Sequence, residues 1–231
     1  MTKKLPVFSV KAEAEGFALY RDAEPLRTPR NLPLTVPTQN LADAIAQECG
    51  GQGDKMDLRK MPLTQMALTA IDIASQHRAD VVEGILRFGD NELLCQRATD
   101  PADLVAEQNK VWQPYLAWCQ TTLNADLRTG SGIIPFEQNP QALATLRDFV
   151  EKLDAFRLTG LSEACGTLGS LVLGLALIQK HAAPAAVFAA AELDHIWQNK
   201  KWGQDPAAEA RHADINRDLV MYAHWFDLLS A

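Results

Sequence analysis

The sequence lacks the features of a disulfide-bonded or zinc-binding protein. Its 231 residues include only four cysteines, which lie dozens of residues apart and form no Cys-x-x-Cys pair. No histidine near them completes a zinc spacing, so neither a disulfide framework nor a metal or other cofactor is predicted. We expect small buried hydrophobic residues in a reducing compartment at these positions. They are Cys49, Cys95, Cys119 and Cys165.

Motifs for nucleotide binding and for hydrolysis are also missing. The segment GGQGDK does not have the spacing of a phosphate-binding loop, and no Gly-x-Gly-x-x-Gly follows a strand. Gly130-Ser131-Gly132 is shorter than the five-residue turn that exposes a nucleophilic serine. The five histidines include no pair three or four residues apart, so no metal site on one helix is indicated.

Positive charge is scarce, because 22 Lys and Arg stand against 29 Asp and Glu, which gives a net charge of -7. Such a balance argues against a nucleic-acid partner. The first residues, MTKKLPVFSV, have no apolar core of signal-peptide length. We therefore expect a cytosolic protein, or one whose targeting segment has been removed.

No apolar run is long enough for a membrane span, which needs about 20 residues. The most apolar stretch, residues 160–180, reads GLSEACGTLGSLVLGLALIQK and has no polar face. A helix that is apolar all round must be surrounded by protein, so we predict one central buried helix and no membrane insertion. Gly166, Ser170 and Gly174 recur every fourth residue and would allow another backbone to approach closely.

The N-terminal part predicts strands and turns. VFSVKAE and GFALYRD alternate with a period of two, and Glu15-Gly16 is the predicted hairpin turn between them. Four prolines between residues 25 and 37 exclude a helix there. Thr38 is a plausible N-cap for a helix that carries Leu41 and Ile45 and stops at the glycines near residue 50.

The remaining residues predict mainly helices. The fold class is therefore α+β, with a small β-rich N-terminal domain at residues 1–58 and a mainly α-helical domain, an orthogonal bundle, at 59–231. Glu92 opens ELLCQRA, a predicted buried strand, and Pro114 should kink or restart its helix. Residues 127–136 predict a loop or a short strand. The helices are predicted from Pro62 to about Ser75, at 79–88, from Pro101 to Cys119, at 140–153, at 184–201 and at 206–229.

One segment, LDHIWQNKKWG at residues 193–203, is chemically unusual. On a helix, Asp194 and Gln198 project together beside the apolar face that carries Trp197. His195 and Trp202 share the next strip. Aromatic side chains beside a carboxylate and an amide are typical of protein interfaces. The alternative is that both indoles are core residues and that the acid pairs with Lys201 or with a neighbouring helix.

Several phrases, in this order and spacing, resemble the assembly chaperones of the ATP synthase catalytic head, of the type that binds the alpha subunit. They cover roughly residues 17–205, and no one phrase is diagnostic. Three departures from the family pattern are Cys49 for a tryptophan, Gln96 for a tyrosine and His195 for an acid. The phrases are PLRTPRNLPLTVPTQNLADAIAQE, MPLTQMALTAID, LLCQRA with Gln108, the Trp112, Pro114, Leu116 and Trp118 pattern, LGSLVLGLAL, and LDHIWQNKKWG.

This resemblance implies a protein without catalytic residues that covers an unassembled alpha subunit until the beta subunit replaces it. It implies a partner-binding surface made of Asp194, His195, Trp197, Gln198, Trp202 and Gly203. The free protein is expected to be a monomer. Two other functions stay open from the residues alone: a small-molecule enzyme in which Asp194 and either His195 or His212 act as acid and base, and a permanent subunit of a larger complex.

Overall fold

The computed structural model describes residues 6–52, 56–132, 136–203 and 206–230. Short strands near the N-terminus are followed mostly by helices, which confirms the predicted α+β class. In the part of the chain so described, no helix is both long and apolar enough to span a bilayer. The helices are α1 Gln39–Gly50, α2 Pro62–Thr69, α3 Arg78–Asp90, α4 Ala102–Leu123, α5 Pro140–Glu151, α6 Ala155–Leu168, α7 Leu171–Ile178, α8 Pro184–Ala191, α9 Leu193–Trp202 and α10 Pro206–Leu228.

The N-terminal sheet is built on an antiparallel hairpin. Its strands are β1 Phe8–Glu13, β2 Gly16–Arg21, β3 Glu24–Pro25 and β4 Thr35–Val36, and β2 pairs with each of the other three. Because Glu13 lies opposite Gly16, the turn consists of Ala14 and Glu15, one residue earlier than predicted. Gly16 has φ +140°, and a Cβ there would lie 2.4 Å from the Val36 carbonyl oxygen. Glycine is therefore required where β2 begins.

The chain forms two compact units. Unit 1 comprises Met1–Arg78 with two later segments, Asp154–Gly160 and His224–Ala231. Unit 2 comprises Ala79–Leu153 and Leu161–Ala223. The division into domains at residues 1–58 and 59–231 stays a prediction.

In unit 1, α1 packs against β1 and β2. The predicted N-cap is confirmed, since the Leu41 N–H donates to Thr38 Oγ1 at 3.3 Å. The same hydroxyl donates to the Leu228 carbonyl at 2.6 Å, and the Trp225 indole N–H donates to the Phe156 carbonyl at 3.1 Å. The late segments of the chain are thus bonded into the core of this unit.

The central apolar stretch of unit 2 is not one helix, as predicted, but two. α6 ends at Leu168, Gly169 has φ +66°, and Ser170 is extended. The Ser170 hydroxyl accepts a hydrogen bond from the Leu173 N–H at 3.0 Å and so acts as the N-cap of α7. The apolar periodicity of the sequence does not predict this break, because the capping serine lies inside the apolar run.

The start of α7 is buried, and its free N–H groups bind the carboxylate of Glu92. Leu171 and Val172 donate to Glu92 Oε2 at 3.0 and 3.1 Å, and the Ser170 hydroxyl donates to Oε1. Burial raises the pKa of Glu92 to about 7, although these hydrogen bonds act in the opposite direction. Glu92 also accepts from the Leu94 N–H at 3.2 Å. This bond caps a 3-10 turn at Leu93–Cys95, where a strand was predicted, and the Cys95 N–H closes the turn by donating to the Glu92 carbonyl at 3.0 Å. Only Gln96–Arg97 (β5) in this segment is extended, and it pairs with Gly130–Ser131 (β6).

Two further helix predictions are corrected. The helix predicted at 184–201 is divided at Glu192, whose buried side chain belongs to a charged cluster described below. The helix that contains Pro114 continues through it, because the proline lies on the exposed face, where water can bind the carbonyl left without a partner. The helix predicted from Pro62 to about Ser75 is α2 followed directly by a π-helical turn at Ala70–Ala74. The other helices begin and end within a few residues of their predicted limits. The Asp205-Pro206 break and part of the segment 127–136 lie outside the described residues.

All four cysteines are buried with free thiols, which confirms them as small core residues. Burial raises the pKa of Cys49 to about 11, and those of Cys95 and Cys119 to about 12.

Replacing Gly174 by alanine should destabilise the protein by about 1–2 kcal/mol. The new Cβ would lie 2.7 Å from Cys165 Sγ and 3.1 Å from Leu161 Cδ1. Overpacking of this kind costs about 1–3 kcal/mol and outweighs the gain of roughly 1 kcal/mol in helix propensity.

Gly166→Ala is the matched control, because nothing lies within 4 Å of the added Cβ. It should leave stability unchanged or raise it by up to about 1 kcal/mol. Urea unfolding followed by circular dichroism measures both variants, and equal effects would contradict the close contact at Gly174.

Candidate functional site

The segment 193–203 forms helix α9, which begins directly after Glu192 and ends at Gly203 with φ +100°. α9 packs against α4 and α8 within unit 2. Of the six predicted binding residues, His195, Gln198, Trp202 and Gly203 are exposed, whereas Asp194 and Trp197 are half-buried. We call these six residues the α9 surface. The structure places all of them on one short helix and its C-cap.

Asp194 is held in place by a hydrogen bond from a neighbouring helix. The Gln108 amide on α4 donates to Asp194 Oδ1 at 2.8 Å, and the Gln108 carbonyl oxygen accepts from the Ala98 N–H at 2.8 Å. One turn later, the indole N–H of Trp112 donates to the Ala190 carbonyl at 2.8 Å. Gln108 and Trp112 are buried, so α4 fixes the position of the acid from beneath.

The two tryptophans of α9 pack edge to face and are not core residues. Their ring centroids are 5.8 Å apart and the ring planes meet at 90°. Trp202 is 75% exposed. Lys201 Nζ lies 4.7 Å from the Trp197 ring centroid and 2.6 Å from Asp103 Oδ2, so this lysine pairs with Asp103 rather than with Asp194. The sequence alternative, with both indoles in the core, is therefore wrong, although its pairing of Asp194 with a neighbouring helix is correct.

An open groove of about 390 Å³ runs beside these residues. Its apolar lining includes Val111, Leu193, Ile196 and Trp197, and its rim carries charged groups. An open groove with an apolar floor suits a side chain of a large partner better than an enclosed small substrate.

Glu192, which the sequence motifs do not single out, is a buried acid at the centre of a charged cluster that reaches the surface. Its carboxylate accepts hydrogen bonds from both terminal nitrogens of Arg211, at 2.9 and 2.8 Å. His195 Nδ1 and His212 Nε2 lie 3.0 and 3.1 Å from Glu192 Oε2. Burial acts to raise the pKa of Glu192, but hydrogen bonds and charge from Arg211, with His195, hold it below its ordinary value. No sequence spacing indicates this cluster, because Arg211 lies on a different helix.

The hydrogen bonds of this cluster argue against an acid–base pair of Asp194 with His195 or His212. Both histidines proposed as partners of Asp194 are bonded to Glu192 instead, and Arg211 occupies both carboxylate oxygens of Glu192. Asp194 itself is bonded to an amide. Across residues 6–52, 56–132, 136–203 and 206–230, no group of three His, Cys, Asp or Glu side chains is arranged to hold a metal ion.

Solved structures first identify the class of protein. An aspartate-to-lysine variant of Atp12p from Paracoccus denitrificans is 34% identical, covers 98% of this chain and 97% of its own, and has a TM-score of 0.93. Atp12 from P. denitrificans is 36% identical, covers 96% and 95%, and has a TM-score of 0.91. The Atu1473 protein from Agrobacterium tumefaciens is 32% identical, covers 96% and 84%, and also has a TM-score of 0.91. The chain thus shares the fold of α+β chaperones.

A family model then names the family. The model described as ATP12 chaperone protein matches residues 6–120. With the identity and coverage of the Paracoccus structures, this match shows that the chain belongs to the ATP12 chaperone family. The resemblance inferred from the sequence motifs is thereby confirmed.

Replacing Arg211 by glutamine should destabilise the protein by about 1–2 kcal/mol at pH 7. Removing one partner of a buried pair costs roughly 3–5 kcal/mol, but solvent screening reduces this because the Arg211 side chain is 53% exposed. Glu192 has a lowered folded-state pKa, so its stabilising effect is present above its ordinary pKa and is lost as the pH falls through the folded-state value. The effect of the substitution should therefore shrink in acid.

Arg217→Gln on the same helix is the control. Its ion pair with Asp214 is exposed on both sides, at 71% and 64%, and should contribute less than about 0.5 kcal/mol. Urea unfolding at pH 7 and pH 4 distinguishes the two variants. A loss for Arg211→Gln that does not change with pH would contradict the assigned pairing.

Proposed function

We propose that this protein is an ATP-independent assembly chaperone that binds the unassembled alpha subunit of the ATP synthase catalytic head. It covers the alpha surface that later packs against the beta subunit, and the beta subunit then displaces it. Family membership supports the assembly role. The observation that carries the binding site is Trp202, a large aromatic side chain that is 75% exposed at the end of a helix anchored to the protein core.

The α9 surface has the properties of an interface centre. Tryptophan residues dominate the binding energy of many complexes, because their large rings bury much area and lose little rotamer freedom. Here the edge-to-face contact with Trp197 restrains the exposed ring. The hydrogen bond from Gln108 likewise fixes Asp194 before a partner arrives. A preorganised surface of this kind loses less entropy on binding.

Release in this proposal requires no nucleotide hydrolysis. A subunit taken from a ring exposes a large apolar face, and a modest, partly polar contact can cover that face reversibly. The native partner then replaces the chaperone by mass action because it binds more tightly. The proposal accordingly includes no catalysis and no cofactor. It describes a monomer that binds neither nucleic acid nor the membrane interior, in a bacterial cytoplasm or, after removal of a presequence, in a mitochondrial matrix.

The enzyme alternative is less well supported by the geometry. Acid–base catalysis needs a proton donor and acceptor within reach of one substrate atom. Asp194 is bonded to Gln108, and the histidines are bonded to Glu192, which Arg211 also neutralises.

Asp194→Lys should reduce capture of the purified alpha-type subunit by at least roughly tenfold. The new positive charge at the interface centre would either repel a cation of the partner or be buried without an opposite charge. Bio-layer interferometry with the immobilised chaperone measures the effect. Asp148→Lys makes the same charge change on the exposed face of α5 and should bind normally. Undiminished capture by folded Asp194→Lys would remove this acid from the interface.

Trp202→Ala should raise the dissociation constant for the same client by roughly 30-fold, which corresponds to about 2 kcal/mol for a central tryptophan. Its thermal stability should stay near that of the wild type, because the ring is 75% exposed. Val220→Ala removes another exposed apolar side chain, 59% exposed on α10, and is the matched control. If both variants bind the client equally well, Trp202 is not part of the contact.

A further inference from the structure

Unit 1 contains another open groove, which shares no residue with the α9 surface. It has a volume of about 380 Å³ and lies between the segment 26–34, which leads into β4, and the segment 56–68, which includes most of α2. Its apolar lining includes Leu26, Leu34, Leu58 and Leu68, with Met56. We call it the N-terminal groove.

The polar side chains that line this groove are already hydrogen-bonded to the protein. The Thr28 hydroxyl donates to Asp72 Oδ1 at 2.6 Å, and the Thr64 hydroxyl donates to Glu48 Oε2 at 2.7 Å. Both threonines are buried, at 5% and 2% exposure. The groove therefore offers an incoming group chiefly apolar surface and no unsatisfied hydroxyl.

Large apolar side chains are exposed at this groove. Met56 is 36% exposed and Leu58 is 40% exposed, and both line it. Exposed apolar residues scattered singly need no explanation, but two that share one concave surface indicate a contact site. Covering them would gain roughly 25 cal/mol for each Å² removed from water.

Among the residues that line the groove, the one charged side chain is a cation, Arg27, although the whole chain has a net charge of -7. The segments 26–34 and 56–68 carry four cations and one acid, and two further acids, Glu48 and Asp72, bond to the lining threonines, so the local balance is 4 − 3 = +1. The acid, Asp57, is bonded to Arg59, and the buried Asp72 accepts from Thr28 and from the Arg30 backbone N–H. The cations are Arg27, Arg30, Arg59 and Lys60.

We propose that the N-terminal groove binds a partner polypeptide through a bulky apolar side chain flanked by carboxylates. The apolar floor takes the side chain, and Arg27 in the lining, with Arg30 and Lys60 in the adjoining segments, attracts the acids beside it. Charge complementarity of this kind selects the partner and speeds its approach. The proposal goes beyond the α9 surface, uses none of its residues and does not depend on the identity of the chaperone's client.

The test is a titration of the ¹⁵N-labelled full chain with three capped peptides, followed by NMR. The first is acetyl-Glu-Asp-Phe-Leu-Glu-Glu-amide, the second has lysine at every acidic position, and the third has serine in place of Phe and Leu. The first peptide should shift amide signals of residues 26–34 and 56–68. It should also bind at least tenfold more tightly than the other two, and its affinity should fall as salt is added.

Two variants of similar exposure localise the binding. Leu58→Asp places a charge in the groove and should weaken binding of the first peptide at least tenfold. Ile73→Asp adds the same charge at a residue of unit 1 that is 38% exposed and does not line the groove, and should change affinity less than twofold. Thermal melts of both variants confirm that they fold.

Three results would overturn the proposal. Equal binding of the acidic and basic peptides would show that charge does not select the peptide. Unchanged binding by folded Leu58→Asp would show that the peptide does not bind in the groove. Movement of the same amide signals when the protein alone is concentrated would identify a second copy of this chain as the occupant. None of these results bears on the client contact through Trp202, which is measured separately.

Discussion

The arrangement of unit 2 depends on the buried carboxylate of Glu92. Helix α7 begins inside the core, and every residue from Leu171 to Leu177 is buried. The N–H groups at its start cannot reach water, and leaving them unpaired would cost free energy for each group. Glu92 binds two of them and the capping hydroxyl of Ser170. Because α4 packs against both α7 and α9, this single acid supports the helix that presents Asp194 and the tryptophans.

Unit 1 satisfies a helix start in the same way. Glu48, near the end of α1, accepts hydrogen bonds from the Leu63 and Thr64 N–H groups at 3.0 and 2.9 Å, where α2 begins. In both units an acid from an earlier segment accepts hydrogen bonds from the N–H groups at a helix start. It adds to the Ser170 cap at α7, whereas α2 has no side-chain cap of its own. Glu192 is buried like Glu92 but has a different role, since its partners are the side chains of Arg211 and two histidines. Both of these buried acids therefore have several hydrogen-bond partners, as a carboxylate removed from water requires.

The sequence predicts what local chemistry determines. Thr38 and Pro62 mark helix starts correctly, and strand alternation finds β1 and β2 to within one residue of the turn. The breaks at Gly169 and Glu192 are missed because both lie within apolar or alanine-rich runs whose periodicity continues across them. The α9 surface is proposed from its composition and a family resemblance, but its anchor is not, since Gln108 lies 86 residues before Asp194. Contacts of that separation depend on the tertiary fold, which periodicity does not encode.

The cysteines have a chemical consequence beyond packing. Oxidants and alkylating reagents attack the thiolate, and the raised pKa values of Cys49, Cys95 and Cys119 leave almost no thiolate near neutral pH. Their side chains are also enclosed, so peroxide has neither a nucleophile to meet nor a path to it. Sulfenic acid or mixed disulfides can form only after the chain has opened. The cysteines of the folded protein are consequently expected to stay reduced during an oxidative burst.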